Sequence, residues 1–253
     1  HFRQGGADND DDVLGRMLGG RYDFYPEHGP VDEERLPPQT AILAAAVCLT
    51  MAVLCGFGLQ QGGALSSVAI LFALTLLLGG VVYAAANRAL GNMGLAELLF
   101  AFEVGAVVPL FTFAVQNGGL HRLLPLITLP LVFLLLAIQL LFQFPHYRLD
   151  AAGQQQSLVE RVGWQRGLFF HNSFLLFAFL SLAAASFAGL AVDLLLLPLL
   201  VLPVAGLQLW NLRRLAEGDA PRWLALKLTG LAIVGAVSYL LTEPFWVRVA
   251  RKA

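Results

Sequence analysis
Seven apolar stretches fill most of this 253-residue chain, at about 40–59, 65–85, 97–116, 122–143, 168–189, 190–210 and 224–246. Each has the length, roughly 20 residues, that a helix needs to cross the hydrocarbon core of a bilayer. Charged residues make up 13% of the chain and hydrophobic ones 58%, with a mean hydropathy of +0.71. A soluble helical protein built from seven such runs would have no polar surface left to cover them. The expected fold is therefore all-α, a polytopic membrane helical bundle with the lipid bilayer as its main partner.

The polar residues are gathered in the connections. Residues 1–39 are loop-like and hold nine of the 17 acids. Pro37 and Pro38 then open the first span, where a proline is well tolerated. The turns at 60–64, 117–121 and near 189 are short, whereas the connections at 1–39, 86–96, 144–167 and 211–223 are longer. Those longer loops carry Arg3, Arg16, Arg21, Arg35, Arg88, Arg148, Arg161, Arg166, Arg213, Arg214 and Arg222; the short turns carry only Arg122. By the positive-inside rule the longer loops face the cytoplasm. The basic tail Arg248, Arg251 and Lys252 falls on the other side and runs against that rule. On this reading both acidic loops, 1–39 and 144–167, open on one face of the membrane.

Several function classes drop out. A net charge of −1 gives no field to attract nucleic acid, and no such partner is expected. No Gly-rich nucleotide loop, nucleophile elbow or zinc signature is present. Cys48 and Cys55 lie on the first span and read as small buried apolar residues. Trp164, Trp210, Trp223 and Trp246 lie near span ends and read as an interfacial belt. The chain opens at His1, inside a polar motif, so further sequence is expected upstream.

Two clusters carry possible chemistry. Asp8, Asp10, Asp11 and Asp12 are crowded carboxylates, which repel one another unless a cation or basic group sits among them. Hard oxygens of this kind suit Mg²⁺, and a solvated acidic loop is the plain alternative. Gln139, Gln143, His146 and Asp150, spaced by 4, 3 and 4, would form one polar stripe leaving the fourth span. Pro145 would kink that stripe. The alternative has the glutamines bonded to neighbouring helices and His146 and Asp150 capping the span. Inside the spans, Glu103 is costly if it faces lipid, so it should face the bundle, with His171 and Asn172 as possible partners.

The segment from Tyr83 through Asn87, Arg88, Leu90, Gly91, Gly94 and Leu95 to Glu97 and Leu98 resembles a loop of the UbiA-type intramembrane prenyltransferases. It is most similar to the branch that makes menaquinone-like quinones, where the loop reads roughly Tyr-Thr-Ala-Pro-Pro-x-x-Leu-Gly-Tyr-x-Gly-Leu-Gly-Glu-Leu. Gly105 falls where that branch has the Gly of a following Phe-Gly-Pro. Pro145-His146-Tyr147-Arg148-Leu149-Asp150 looks like the family's second acidic motif, Pro-Asp-Tyr-x-x-Asp. Gly6-Ala7-Asp8 is similar to the end of the first, and Gly19-Gly20-Arg21 to its later Gly-Gly-Ser-Arg. The resemblance covers essentially the whole chain and implies nine helices, two of them upstream of residue 1.

Departures are concentrated in the motifs. His146 replaces an acid, Gln155 replaces a Lys, and Ala86-Asn87 replaces Pro-Pro.

The resemblance implies a single domain over 1–253. Within it, 1–39 is a cytoplasmic loop, 40–143 four helices, 144–167 the second motif loop and 168–253 three helices. It implies transfer of a polyprenyl group from an allylic diphosphate to an aromatic acceptor, with Mg²⁺ as cofactor. Asp8, Asp12 and Asp150 would be metal ligands, with Asp150 and His146 at the reaction centre. Arg88, Tyr83, Glu97, Arg148 and Arg161 would bind substrate. The expected location is the plasma membrane of a bacterium, with the motif loops on the cytoplasmic side. The alternative is a catalytically silent member that binds an isoprenoid lipid or a partner enzyme.

Overall fold
The computed structural model describes residues 38–63, 65–89, 94–146, 158–189, 192–217 and 222–250. Among these, all regular structure is helical: α1 (Pro38–Gln61), α2 (Ser67–Ala89), α3 (Leu95–Phe102), a π-helical segment (Glu103–Val107), α4 (Val108–Asn117), α5 (Leu124–Gln143), a 3₁₀ turn (Phe144–His146), α6 (Leu158–Val162), α7 (Trp164–Phe187), α8 (Val192–Leu199), α9 (Leu202–Ala216) and α10 (Trp223–Ala250). A helix satisfies its backbone within its own segment, which is what lipid demands of a spanning chain.

Six described helical stretches are long and apolar enough to cross a membrane: Leu43–Gln61, Leu95–Asn117, Leu124–Gln143, Trp164–Phe187, Leu196–Ala216 and Trp223–Thr242. The remaining expected span corresponds to α2, whose apolar part, Ser67–Tyr83, is shorter. The sixth expected span, 190–210, is two helices broken at Leu200–Val201. Pro198 lies just before the break and Pro203 opens α9, so the chain lacks two N–H donors around one turn. The segment expected as a loop at 144–167 contains α6 and the first turn of α7.

α5 and α7 form the central pair; α10 lies against α5 and carries α8 and α9 beside it. The core between them is made by Leu134 and Ala137 of α5, Leu175, Ala178 and Leu182 of α7, and Ile233 and Val237 of α10. Alanines at these contacts let the backbones come close, the packing rule for helices that gain little from burying apolar surface in lipid. α2 packs on the α3–π–α4 rod, and the π segment meets α5. None of the described side chains of α1 is buried, and Cys48 and Cys55 are exposed there, not buried as expected. Their small apolar character suits a lipid-facing surface as well as a core.

The π segment has a clear local origin. Val108 N–H reaches back five residues to the Glu103 carbonyl, and Pro109 follows with no N–H to continue the usual pattern. The widened turn brings Gly105 against α5: a Cβ there would lie 2.8 Å from Val132 N and 2.9 Å from Val132 Cα. Backbone therefore rests directly on backbone, and only glycine permits it.

Gly105→Ala should cost about 1–3 kcal/mol by overpacking. Gly80→Ala, where nothing lies within 4 Å of the new atom, should be neutral or stabilising. Thermal unfolding of both variants in detergent decides it, and equal midpoints would contradict the packing.

Candidate functional site
One group of polar residues comes together where α3, α5 and α6 meet. Gln139 and Gln143 lie one turn apart on α5 and face the start of α3. Gln139 Nε2 donates to the Glu97 backbone carbonyl at 3.1 Å, and Gln143 Nε2 donates to Glu97 Oε1 at 2.9 Å. The other end of the Gln143 amide, Oε1, accepts the backbone N–H of Val159 at 3.2 Å. Carboxylates only accept and N–H groups only donate, so the amide can have just one orientation. Val159 is in the first turn of α6, where backbone N–H groups lack helical partners, so Gln143 caps that turn from another helix. Glu97 Oε2 is buried with no hydrogen-bond partner among the described residues.

Apolar contacts hold the same place. Gly94, with φ of 69°, starts α3, and a Cβ on it would lie 2.8 Å from Leu158 Cδ1. Phe144 and Val159 are both buried in a cluster with Leu140, Leu141, Leu212 and Leu226. The Phe144 ring lies 4.9 Å from Trp164, which lies 6.2 Å from Trp223. These two tryptophans are thus partly buried against each other, whereas Trp210 is exposed, with the Arg214 guanidinium 5.9 Å from its ring centre. The ends of three connections (before α3, on both sides of 147–157, and before α10) are therefore fastened together.

The expected polar stripe is only half realised. α5 stops at Gln143 and tightens into the 3₁₀ turn Phe144–His146, because Pro145 brings no N–H and its ring crowds the preceding turn. Gln139 and Gln143 share a face; the helix does not carry that face on to His146. Their bonds to Glu97 match the alternative in which the glutamines hold neighbouring helices together.

Tyr83 stands near the end of α2, 38% exposed, its ring 6.1 Å from Phe100 of α3. Arg88 lies in the last turn of α2, and Arg161 is exposed in the last turn of α6. Asp8, Asp12, Arg148 and Asp150 lie outside the described residues.

The pairing expected of Glu103 with His171 and Asn172 does not occur. Glu103 packs onto Gly79 of α2, where no Cβ would fit, and its Oε2 is buried and without a partner among the described residues. Asn172 is exposed. His171 is buried beside α5 and α9: its Nδ1 lies 2.8 Å from the Ala137 carbonyl and its Nε2 3.5 Å from Gln208 Nε2. The carbonyl can only accept, so Nδ1 carries the proton and Nε2 is the acceptor. The reason for the miss is directional: Glu103 projects toward Gly79 of α2, and His171 toward Ala137 of α5 and Gln208 of α9. His171 and Gln208 tie α5, α7 and α9 together, a structural role.

No group of three or more His, Cys, Asp or Glu side chains that could hold a metal occurs among the described residues. Magnesium prefers hard oxygen ligands. Glu97 Oε2 is of that kind, as are the carboxylates of Asp8, Asp12 and Asp150; the imidazole of His146 is not.

The fold is that of an integral membrane helical bundle, with Glu97, Gln139 and Gln143 joined by hydrogen bonds at the ends of its helices. The model of the UbiA prenyltransferase family matches residues 27–242, and the chain belongs to that family. Its general activity is prenyl transfer at the membrane, commonly with a divalent metal, a prenyl diphosphate and an aromatic acceptor. Neither the curated proteins nor the solved structures gave a match.

His171→Leu should cost roughly 1–3 kcal/mol, because it removes the bond to Ala137 and strands the buried Gln208 amide. Thermal unfolding in detergent measures the loss. An unchanged midpoint would contradict the buried pair.

Proposed function
We propose that this chain transfers a polyprenyl group from an allylic diphosphate to an aromatic acceptor, in the biosynthesis of a menaquinone-like quinone or a related lipid. The observation that carries the reading is the junction at Glu97, Gln143 and Val159. It fastens the start of α3, where the Tyr83–Glu97 motif ends, to the residues on both sides of the segment bearing Asp150, in a chain of the UbiA family.

The C–O bond of the allylic diphosphate breaks, and the diphosphate leaves with the electron pair. A ring carbon of the acceptor attacks the allylic cation, and the ring then loses a proton to restore aromaticity. Asp8, Asp12 and Asp150 are the residues that would hold Mg²⁺, with hard oxygens. When bound, the metal offsets charge developing on the leaving diphosphate. Arg88, Arg148 and Arg161 supply fixed positive charge to the same diphosphate, and guanidinium suits it in shape. His146, a poor magnesium ligand, acts as a hydrogen-bond donor to the diphosphate. Tyr83 and Glu97, which flank the same loop as Arg88, bind substrate with it. The apolar bundle keeps water from the cation. The motif loops face the cytoplasm, in a bacterial plasma membrane.

His146 and Gln155, which stand where the family has an acid and a Lys, favour a second reading: a silent member that holds an isoprenoid lipid.

Membranes carrying the complete gene product, given labelled polyprenyl diphosphate and a panel of aromatic acceptors, should form a prenylated product with Mg²⁺ and none with EDTA. Asp150→Asn should abolish transfer, exceeding the roughly 10–100-fold loss typical for groups that only support a metal ligand, without altering helix content or unfolding. Absence of product and of diphosphate release from folded wild-type protein would support the silent reading instead.

A further inference from the structure
One face of α7 carries an ordered series of side chains outside the motifs. Arg166 stands in the first turn, and Phe170, Phe174 and Phe177 follow it at spacings of 4, 4 and 3. Such spacings place all four on one side of a helix. Arg166 is exposed, Phe170 is 36% exposed and Phe177 48%. The rings form a continuous row that takes in Phe133 of α5. Phe170 and Phe174 lie 6.3 Å apart and 21° from parallel, and Phe174 and Phe133 lie 6.3 Å apart and 18° from parallel. Phe133 then meets Phe177 at 5.8 Å. Phe133 and Phe174 are partly buried against the core, which fixes the rings on which the two exposed ones lean.

A surface that only meets bilayer acyl chains needs no such order. Leu176 and Leu180, on the same helix, are 56% and 52% exposed and meet lipid as separate aliphatic side chains. Here a cation stands at the start of the span Trp164–Phe187 and a wall of rings from two helices runs inward from it. From position 166 to position 177 the row extends about 16 Å along the helix. Its shape and charge fit an amphiphile with an anionic head and a long, unsaturated apolar tail. Arg161, expected to bind diphosphate, lies in the last turn of α6, just before α7 begins.

We propose that this row seats the polyprenyl diphosphate: the Arg166 guanidinium takes the diphosphate, and Phe170, Phe174, Phe133 and Phe177 take the isoprenoid chain. What the ligand is rests on the prenyl-transfer reading; where its chain lies rests on described side chains alone. A guanidinium matches a phosphate group in charge and in shape. Flat ring faces give wide contact to the flat alkene groups of the chain. Rings already packed on one another lose little freedom when that chain settles on them.

The test uses the complete gene product in phosphatidylcholine nanodiscs, without acceptor. Two probes carry a diazirine on the terminal isoprene unit: geranylgeranyl thiodiphosphate, used with Mg²⁺, and geranylgeraniol, used with EDTA. After photolysis, mass spectrometry locates the label. Both probes should label 170–177 of α7 and the neighbourhood of Phe133, because the rings hold the chain with or without a metal. Unlabelled probe in excess should remove the label, and the same excess of phosphatidic acid should not. Phe170→Leu with Phe177→Leu keeps apolar cover but removes two rings, and should raise the half-competing concentration of both ligands roughly 3–10-fold. Arg166→Gln should raise that of the thiodiphosphate about 10-fold, as for a lost bond to a charged group, and leave that of the alcohol unchanged. Leu176→Ala should alter neither. Label spread over lipid-facing positions such as Leu176, label removed equally by phosphatidic acid, or competition unchanged in the double Phe variant or in Arg166→Gln overturns the proposal. If wild type transfers no prenyl group but labels the row competitively, the transfer reading fails and the row stands. If transfer occurs and the row stays unlabelled, the row alone fails.

Discussion
The hydrogen bond from Gln143 to the Glu97 carboxylate is the interaction on which the polar end of this bundle depends. Lipid offers no partner to a carboxylate, an amide or a helix-terminal N–H, so each such group must find one within the protein. Gln143 answers for two at once, the Glu97 carboxylate and the Val159 N–H. The apolar cluster of Phe144, Val159, Leu212 and Leu226 below it holds the helix ends that the amide links. Polar and apolar contacts thus specify the same junction, and that agreement between levels is what fixes one arrangement over others.

Deeper in the bundle other contacts join the helices, and there the constraint is met only in part: Glu103 Oε2 and Gln208 Oε1 are buried without a partner among the described residues. His171 donates its one N–H to the Ala137 carbonyl and accepts from Gln208 Nε2 at its second nitrogen. Gly105 lets the π segment lie on the backbone of α5, and Gly79 makes room for the Glu103 side chain. These devices join helices without adding apolar burial, the economy expected where lipid competes equally for every leucine.

The helices were legible in the sequence because their signal is local: about 20 apolar residues in a row. The break at Leu200–Val201 was signalled by Pro198 and Pro203 but hidden within one continuous hydrophobic run. Gln139 and Gln143 stood out at helical spacing in an apolar span. Their partner Glu97 did not, because it lies 42 and 46 positions away and only packing joins them. Direction misled in the case of Glu103 and His171, since two polar residues at similar depth on different helices need not face each other. The α-helix expected to carry the stripe on to His146 ends at Gln143 for a local reason, the turn at Pro145. The family was legible because an ordered set of short motifs survives even where single acids are replaced; Asp8, Asp12 and Asp150 rest on that resemblance and lie outside the described residues.

The central proposal is that this membrane bundle binds an allylic diphosphate through Mg²⁺. Calorimetric titration of the complete gene product in nanodiscs with a non-reactive polyprenyl thiodiphosphate, beside the polyprenol of equal length, tests it most directly. The account predicts saturable binding of the thiodiphosphate that requires Mg²⁺, and much weaker, Mg²⁺-independent binding of the alcohol. Equal binding of both ligands, unchanged by EDTA, would show that only the lipid tail is recognised and would contradict the account.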